Sequence, residues 1–179
     1  MADIQVENII VVTRMAKALD LAVLSHRVAD AMYHPEEFPG LIMHVDTPRA
    51  AVMLFADGKT VCTGAKTMDD VETVIQLIAE RLRGAGVTVK KKPTITVQHL
   101  VASVDLNKMV DLEVLAQKMA LENAAYNPKR FPGLVYTLER PTAVVLLFNS
   151  GKLVCTGATL EDVSTAIETM TNKLSSFGM

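Results

Sequence analysis

Four of the five phenylalanines in this 179-residue chain fall into two pairs of equal spacing, Phe38 with Phe55 and Phe131 with Phe148. Paired aromatic rings supply apolar contact area, so their chemistry is that of binding. Residue types that make and break bonds are present but not assembled. Cys62 and Cys155 share no CxxC spacing and form no metal-ligand grouping with the four histidines. Neither a zinc site nor a disulfide framework is expected, and both thiols read as buried and reduced. His26 and His34 read as surface residues, and Phe177 as C-terminal packing. Asp69, Asp70, Glu161 and Asp162 stand where helices begin, a position in which the macrodipole favours negative charge. With no nucleophile and base at a working spacing and no phosphate-binding glycine loop, the chain is not expected to be an enzyme or to need a cofactor or metal.

The elements that must position these phenylalanines come from a duplication. Phe38-Pro39-Gly40-Leu41 returns as Phe131-Pro132-Gly133-Leu134, and Val61-Cys62-Thr63-Gly64-Ala65 as Val154-Cys155-Thr156-Gly157-Ala158, both at an offset of 93. Between 38–65 and 131–158, 16 of 28 positions are identical. Two tandem repeats follow, 1–90 and 91–179, with Lys90-Lys91-Lys92 as a solvated junction. Half the residues are hydrophobic and the formal net charge is -2. A core of useful size can be buried, and no global charge drives the chain onto nucleic acid. No apolar run reaches a membrane span, and Asp3 and Glu7 interrupt any signal-peptide pattern, so an intracellular protein without membrane contact is expected.

Each repeat reads strand, helix, three strands, helix. The first strands run Ile4 to Thr13 and Ile95 to Val104. Asp20 and Asp111 are the N-caps of short helices that bury Leu21, Leu24, Val28 and Leu112, Leu115, Met119. The longer helices open with capping boxes, Thr67 with Asp70 and Thr159 with Asp162, and carry the stripes Met68, Val71, Ile75, Ile78, Leu82 and Leu160, Val163, Ile167, Met170, Leu174. Two hairpins lie between the helices. If the first turns about residues 46 and 47, positions whose numbers sum to 93 face each other, which makes Phe38 and Phe55 cross-strand neighbours; Phe131 and Phe148 follow by the same rule.

Strand alternation then assigns two faces. Leu41, Met43, Val45, Val52, Leu54 and Cys62 point toward the helices. Asn8, Ile10, Val12, Phe38, Ile42, Phe55, Lys59, Val61 and Thr63 point away from them, as do His99, Val101, Ser103, Phe131, Val135, Leu146, Phe148, Lys152, Val154 and Thr156. Two helices per repeat cover one face only. An uncovered apolar face of this extent marks a binding surface.

The duplicated FPGL, the second phenylalanine at fixed spacing, the Gly-Lys turn and the V-C-T-G-A segment together resemble the TATA-box-binding family, in its compact archaeal form, across residues 4 to 178. The resemblance implies an α+β fold of two pseudo-symmetric repeats: a saddle with a curved ten-stranded antiparallel sheet and four helices on the convex face. It implies a general transcription initiation factor that lies in the minor groove of TATA-box promoter DNA and recruits transcription factor B and RNA polymerase, acting in the cytoplasm at the nucleoid. It assigns Phe38, Phe55, Phe131 and Phe148 as wedges that kink the duplex; that kink is a known property of this family and not something the residues establish. Minor-groove A·T edges present acceptors without a distinguishing group, so a reader needs small apolar contacts and a few donors. Ile10, Met53, Val61, Val101, Leu146 and Val154 suit the first role. Asn8, Thr63, His99 and Thr156 suit the second. Lys59, Lys152, Lys66, Arg130, Lys129 and His44 are candidates for phosphate.

The chain departs from the family pattern in four places. His99 replaces the second central Asn, His44 and Thr137 replace Arg after FPGL, and Lys66 has no counterpart in the second repeat. In the family the loop before the second-copy wedge is acidic and contacts transcription factor B; here Glu36 and Glu37 make the first-copy loop acidic, while Lys129 and Arg130 make the second basic. Those departures leave two other readings open: a saddle-shaped protein-interaction module, or a specialised regulator with weak DNA binding. A small-molecule-binding duplicated domain stands behind both.

Overall fold

The computed structural model describes all residues except 1, 2 and 121. The chain forms two compact units, one of Asn8–Gln98, the other of His99–Met179 together with the described residues before Asn8. Each is built on the same plan.

The first unit contains most of β1 (Gln5–Arg14), then α1 (Leu21–Arg27), β2 (Leu41–Asp46), β3 (Arg49–Leu54), β4 (Lys59–Thr63) and α2 (Met68–Gly84). Its strands pair antiparallel in the order β2, β3, β4, β1. Asp20 caps α1 by accepting from the Val23 N–H at 3.0 Å. Thr67 caps α2 by accepting from the Asp70 N–H at 3.0 Å. Each cap satisfies a backbone donor that the first helical turn leaves without a partner. The apolar stripe of α2, Val71, Ile75, Ile78 and Leu82, closes over the helix side of the sheet, where Val11, Leu41, Met43, Val52, Leu54 and Cys62 are fully buried. A buried side chain of this size contributes about 1.5–3 kcal/mol, so this layer supplies most of the unit's apolar stabilisation.

The second unit holds β5 (Thr96–Asp105), α3 (Leu112–Lys118), β6 (Ala124–Ala125), β7 (Leu134–Glu139), β8 (Thr142–Leu147), β9 (Lys152–Gly157) and α4 (Leu160–Ser176). Its strand order is β5, β9, β8, β7, β6, again antiparallel. Asp111 caps α3, and at α4 Thr159 and Asp162 complete the reciprocal capping box. Burial of Val163, Ile167, Met170 and Leu174 matches the expected stripe.

Several sequence expectations need correction. Both first hairpins turn one residue later than expected, at Thr47-Pro48 and Arg140-Pro141, whose peptide bonds are cis. Asp46 pairs with Arg49 and His44 with Ala51, so facing residues sum to 95. The shift moves each partner by two positions, which leaves every side chain on its assigned face. Met68 and Leu160, the first residues of the stripes, are exposed because they stand in the opening turn, outside the helix span that lies over the sheet. Among the described residues nine strands form where ten were expected. The first-unit counterpart of β6 is a single bridge between Met32 and Ile42. Asp30 turns left-handed just before it, at φ 59°, whereas the carbonyl of its counterpart Asn123 accepts from the Thr137 N–H at 2.9 Å and carries the pairing on.

Candidate nucleic-acid interface

The face opposite the helices carries ordered rows of small apolar side chains in each unit. In the first, register places Ile42, Met53, Val61 and Val12 side by side across β2, β3, β4 and β1, all half-buried. In the second, Val135, Leu146, Val154 and Ser103 form the equivalent row. Ser103 is buried, and its hydroxyl donates to Glu7 Oε1 at 2.6 Å. The next rows are His44, Ala51, Thr63 and Thr137, Val144, Thr156, Val101. Ile10 lies on the same face by alternation along β1. Ala51 and Val144 were missed from sequence; period two from Met53 and Leu146 was the signal that would have found them.

Beside the first row of each unit, two residues further along its strands, sits a phenylalanine pair. Phe38 lies in the loop before β2 and Phe55 directly after β3, with ring centroids 5.8 Å apart at 65°. Phe131 and Phe148 repeat this at 5.8 Å and 63°. The pairs thus meet as expected, although not as strand neighbours: Phe38 and Phe131 reach back from loops. Such edge-to-face contact is the arrangement that ring quadrupoles favour. The rings remain part-exposed, and Phe131 is the most open of the four. Backbone bonds tie Phe55 to Lys59 and Phe148 to Lys152 at the tight turns, at 2.9 and 3.0 Å. Lys59 Nζ also stands 5.9 Å from the Phe55 ring centroid. Both lysines are exposed and are tied through the backbone to the phenylalanines, which puts a cationic residue next to each pair.

The polar candidates divide. Asn8 and Thr63 come together: Asn8 Nδ2 donates to Thr63 Oγ1 at 2.9 Å, and Asn8 Oδ1 accepts from the Gly64 N–H at 2.7 Å. This fixes the amide orientation and leaves Asn8 a second N–H to donate. His99 and Thr156 form no comparable pair among the described residues, and His99 is exposed. His44, Lys66, Lys129 and Arg130 are exposed as well. The loops before Phe38 and Phe131 fold alike: His34 O accepts from the Glu37 and Phe38 N–H groups, and Asn127 O accepts from those of Arg130 and Phe131. Their charge differs, and in the second loop Asn127 Oδ1 also accepts from the Lys129 N–H at 3.2 Å.

Nothing else in the described residues competes as a reactive site. Burial raises both cysteine thiols to about 11, which keeps them protonated. No group of three or more His, Cys, Asp or Glu is placed to hold a metal among the described residues. No described helix is long and apolar enough to cross a membrane.

A duplicated α+β unit that buries one sheet face under helices and presents the other, apolar and flanked by aromatic pairs, defines a sheet-based binding protein. The family model for "Transcription factor TFIID (or TATA-binding protein, TBP)" matches residues 3–85 and 94–177. TATA-box-binding protein 2 of Methanosarcina mazei is 42% identical over 179 residues, covering 99% of this chain and 98% of that protein. The TATA-box-binding protein of Picrophilus torridus is 45% identical over 162 residues, 90% of this chain and 88% of its own. The solved structure of Methanococcus jannaschii TBP aligns with a TM-score of 0.89 at 36% identity, covering 97% of this chain and 99% of that one. The chain belongs to the TATA-box-binding-protein family. Its fold is the family's, with four helices and nine antiparallel strands among the described residues.

Proposed function

We propose that this chain is a general transcription initiation factor that binds the minor groove of TATA-like promoter DNA, each repeat supplying half of the contacts. The observation that carries this reading is the phenylalanine pair beside an apolar row on the uncovered face, present with the same geometry in both repeats. Phe38, Phe55, Phe131 and Phe148 enter base steps and bend the duplex. Burying a phenylalanine contributes on the order of 2–3 kcal/mol, and unstacking a step costs a few. The two are so close that flexible TA steps are entered and stiff ones are not, which makes deformability part of the selectivity. Val61, Val154, Ile10, Val101, Met53 and Leu146 fill the floor of the groove, where an A·T edge offers no amino group to clash. Asn8, Thr63, His99 and Thr156 donate to its acceptors, and Lys59, Lys152, Lys66, Arg130 and His44 meet phosphates.

Recruitment of transcription factor B and RNA polymerase follows DNA binding, through the loops that carry Glu36, Glu37, Lys129 and Arg130. With a net charge of -2, affinity should depend on salt less steeply than for a basic DNA binder. The test is a duplex-binding titration with a fluorescence readout of bending, across TATA-like and random sequences. Tight, bent complexes on TATA-like duplexes support the proposal. Tight capture of a protein partner with no duplex binding at low salt would show that the face serves protein recognition instead.

A further inference from the structure

The glycine of each FPG segment reads from sequence as part of a turn, but its place in the fold is beneath the rings. Leu41 pairs with Leu54 as the last register position of the hairpin, so Gly40 and Phe55 lie just past it on the two facing chains. Phe38 folds back over the same spot. A Cβ built on Gly40 would stand 2.6 Å from Phe38 Cε1 and 3.2 Å from Phe55 Cε1. In the other repeat a Cβ on Gly133 would stand 2.8 Å from Phe131 Cε1, 3.1 Å from Phe148 Cε1 and 3.3 Å from the Leu147 carbonyl oxygen. Both rings of each pair therefore touch one bare Cα, and both glycines are buried. Neither has a left-handed backbone, so the conformation itself does not demand glycine. The demand comes from the two ring edges.

We propose that Gly40 and Gly133 are positioning residues for DNA bending: each is the shelf on which its phenylalanine pair packs edge to face, so that the two rings enter a base step as one wedge. The inference rests on the wedge reading above and adds to it why the two rings act together. A methyl at the shelf pushes Phe38 off Phe55 while leaving the hairpin intact, because the colliding atom is the far end of a side chain. Free wedge rings would have to be ordered on binding, which weakens the complex and makes the bend heterogeneous.

Gly40→Ala should unfold within a few degrees of the wild type. Proton NMR of the free protein should show loss of the mutual ring-current shifts of Phe38 and Phe55. Duplex affinity should fall about five- to tenfold, the scale of a lost aromatic pair, with a reduced and broadened bend distribution. Gly133→Ala should do the same in its own repeat with a larger loss of thermal stability, since the Leu147 carbonyl cannot move aside. In a Phe38→Ala background, Gly40→Ala should cost little more, because the ring that it displaces is gone. Unchanged ring-current shifts in Gly40→Ala, or an affinity loss that persists undiminished without Phe38, would overturn the shelf. Wild-type bending by Phe38→Ala alone would overturn the wedge reading beneath it, while Phe38→Ala losing the bend and Gly40→Ala keeping it would sink the shelf only.

Discussion

Val-Cys-Thr-Gly-Ala occurs at 61–65 and again at 154–158, yet the chain leaves the segment differently in the two repeats. After β4 ends at Thr63, Gly64 turns to φ 105°, and its N–H goes to the side chain of Asn8. In the second repeat β9 runs on through Gly157, which stays in register with both Leu100 and Ala143. The residue across the strand differs in step: Asn8 accepts the displaced N–H, whereas His99 has none to accept. The backbone donor thus meets a polar side chain where Asn8 stands and stays in the strand register where His99 stands. At the phenylalanine pairs the repeats agree, alike to within 2° in interplanar angle, 65° against 63°. The repeats are therefore alike at their aromatic pairs and differ around Asn8 and His99.

The equivalence of the phenylalanine pairs is the easiest part of this comparison to break. Phe38→Ala and Phe148→Ala should each lower duplex affinity about 30- to 100-fold, the burial free energy of one phenylalanine. Each should remove the bend at its own end with no loss of folding, because part-exposed rings contribute little to the free protein. Bending reporters placed at each end of the duplex read the two losses separately. Wild-type bending by either variant would remove that phenylalanine from the wedge.

The difference between Asn8 and His99 should show at about a third to a tenth of that size. Asn8→Ala strands the Gly64 N–H and the Thr63 hydroxyl, so stability should fall by about 1 kcal/mol and duplex affinity about tenfold. His99→Ala removes an exposed side chain without a partner, and stability should stay within about 0.5 kcal/mol. His99→Asn supplies an amide donor to the groove and should tighten TATA binding, but by less than Asn8→Ala weakens it, since Gly157 is held in the ladder. Denaturant unfolding and duplex titration on the three variants rank them. A larger loss from His99→Ala than from Asn8→Ala would reverse the assignment of the organised half.

Much of this architecture was legible before the structure. The offset of 93 exposed the duplication, and Asp20, Asp111 and Thr159 cap the helices as read because capping is a local matter of one side chain and the next turn. Face assignment survived a wrong turn centre, since a two-residue slip does not change which side of a strand a residue occupies. What escaped were features set by distant neighbours. Identical Thr-Gly steps take different backbones according to the residue on β1 or β5. Gly40 and Gly133 read as turn residues until two rings are placed over them. Among the described residues ten strands became nine because a left-handed Asp30 leaves one bridge where the second repeat has β6.

The wedge-flanking loops make the next comparison, smaller again. Same fold and opposite charge mean that substitution changes electrostatics and little else. Reversing Lys129 and Arg130 to Glu should raise ternary-complex affinity for a transcription factor B with a basic contact surface several-fold, with charge steering most visible at low salt. Arg130 carries two assignments, and the reversal separates them. Weaker binding to duplex alone places it on phosphate; a stronger ternary complex on an unchanged binary one places it on the partner. A ternary complex unchanged or weakened at constant duplex affinity would show that this loop does not recruit.

The smallest expected difference lies behind the sheets. Lys173 on α4 reaches Glu122 at 2.6 Å and holds its ammonium 5.7 Å from the Tyr136 ring centroid. The Glu122 hydrogen bond, chiefly, raises its pKa. Arg81 stands at the equivalent place on α2 and instead donates to the His44 carbonyl at 3.3 Å. A part-buried pair with an aromatic face has more to lose than an exposed hydrogen bond, so Lys173→Ala should cost about 0.5–1 kcal/mol and Arg81→Ala less. The sign with pH follows from the raised value: the lysine's contribution is complete below the ordinary lysine range and fades only as pH climbs through the higher folded-state value. Thermal unfolding of both variants at pH 7 and above pH 10 checks this. The gap between Lys173→Ala and wild type should narrow at the higher pH, and a gap that widened would mean that the ammonium is not what holds this corner of the second repeat.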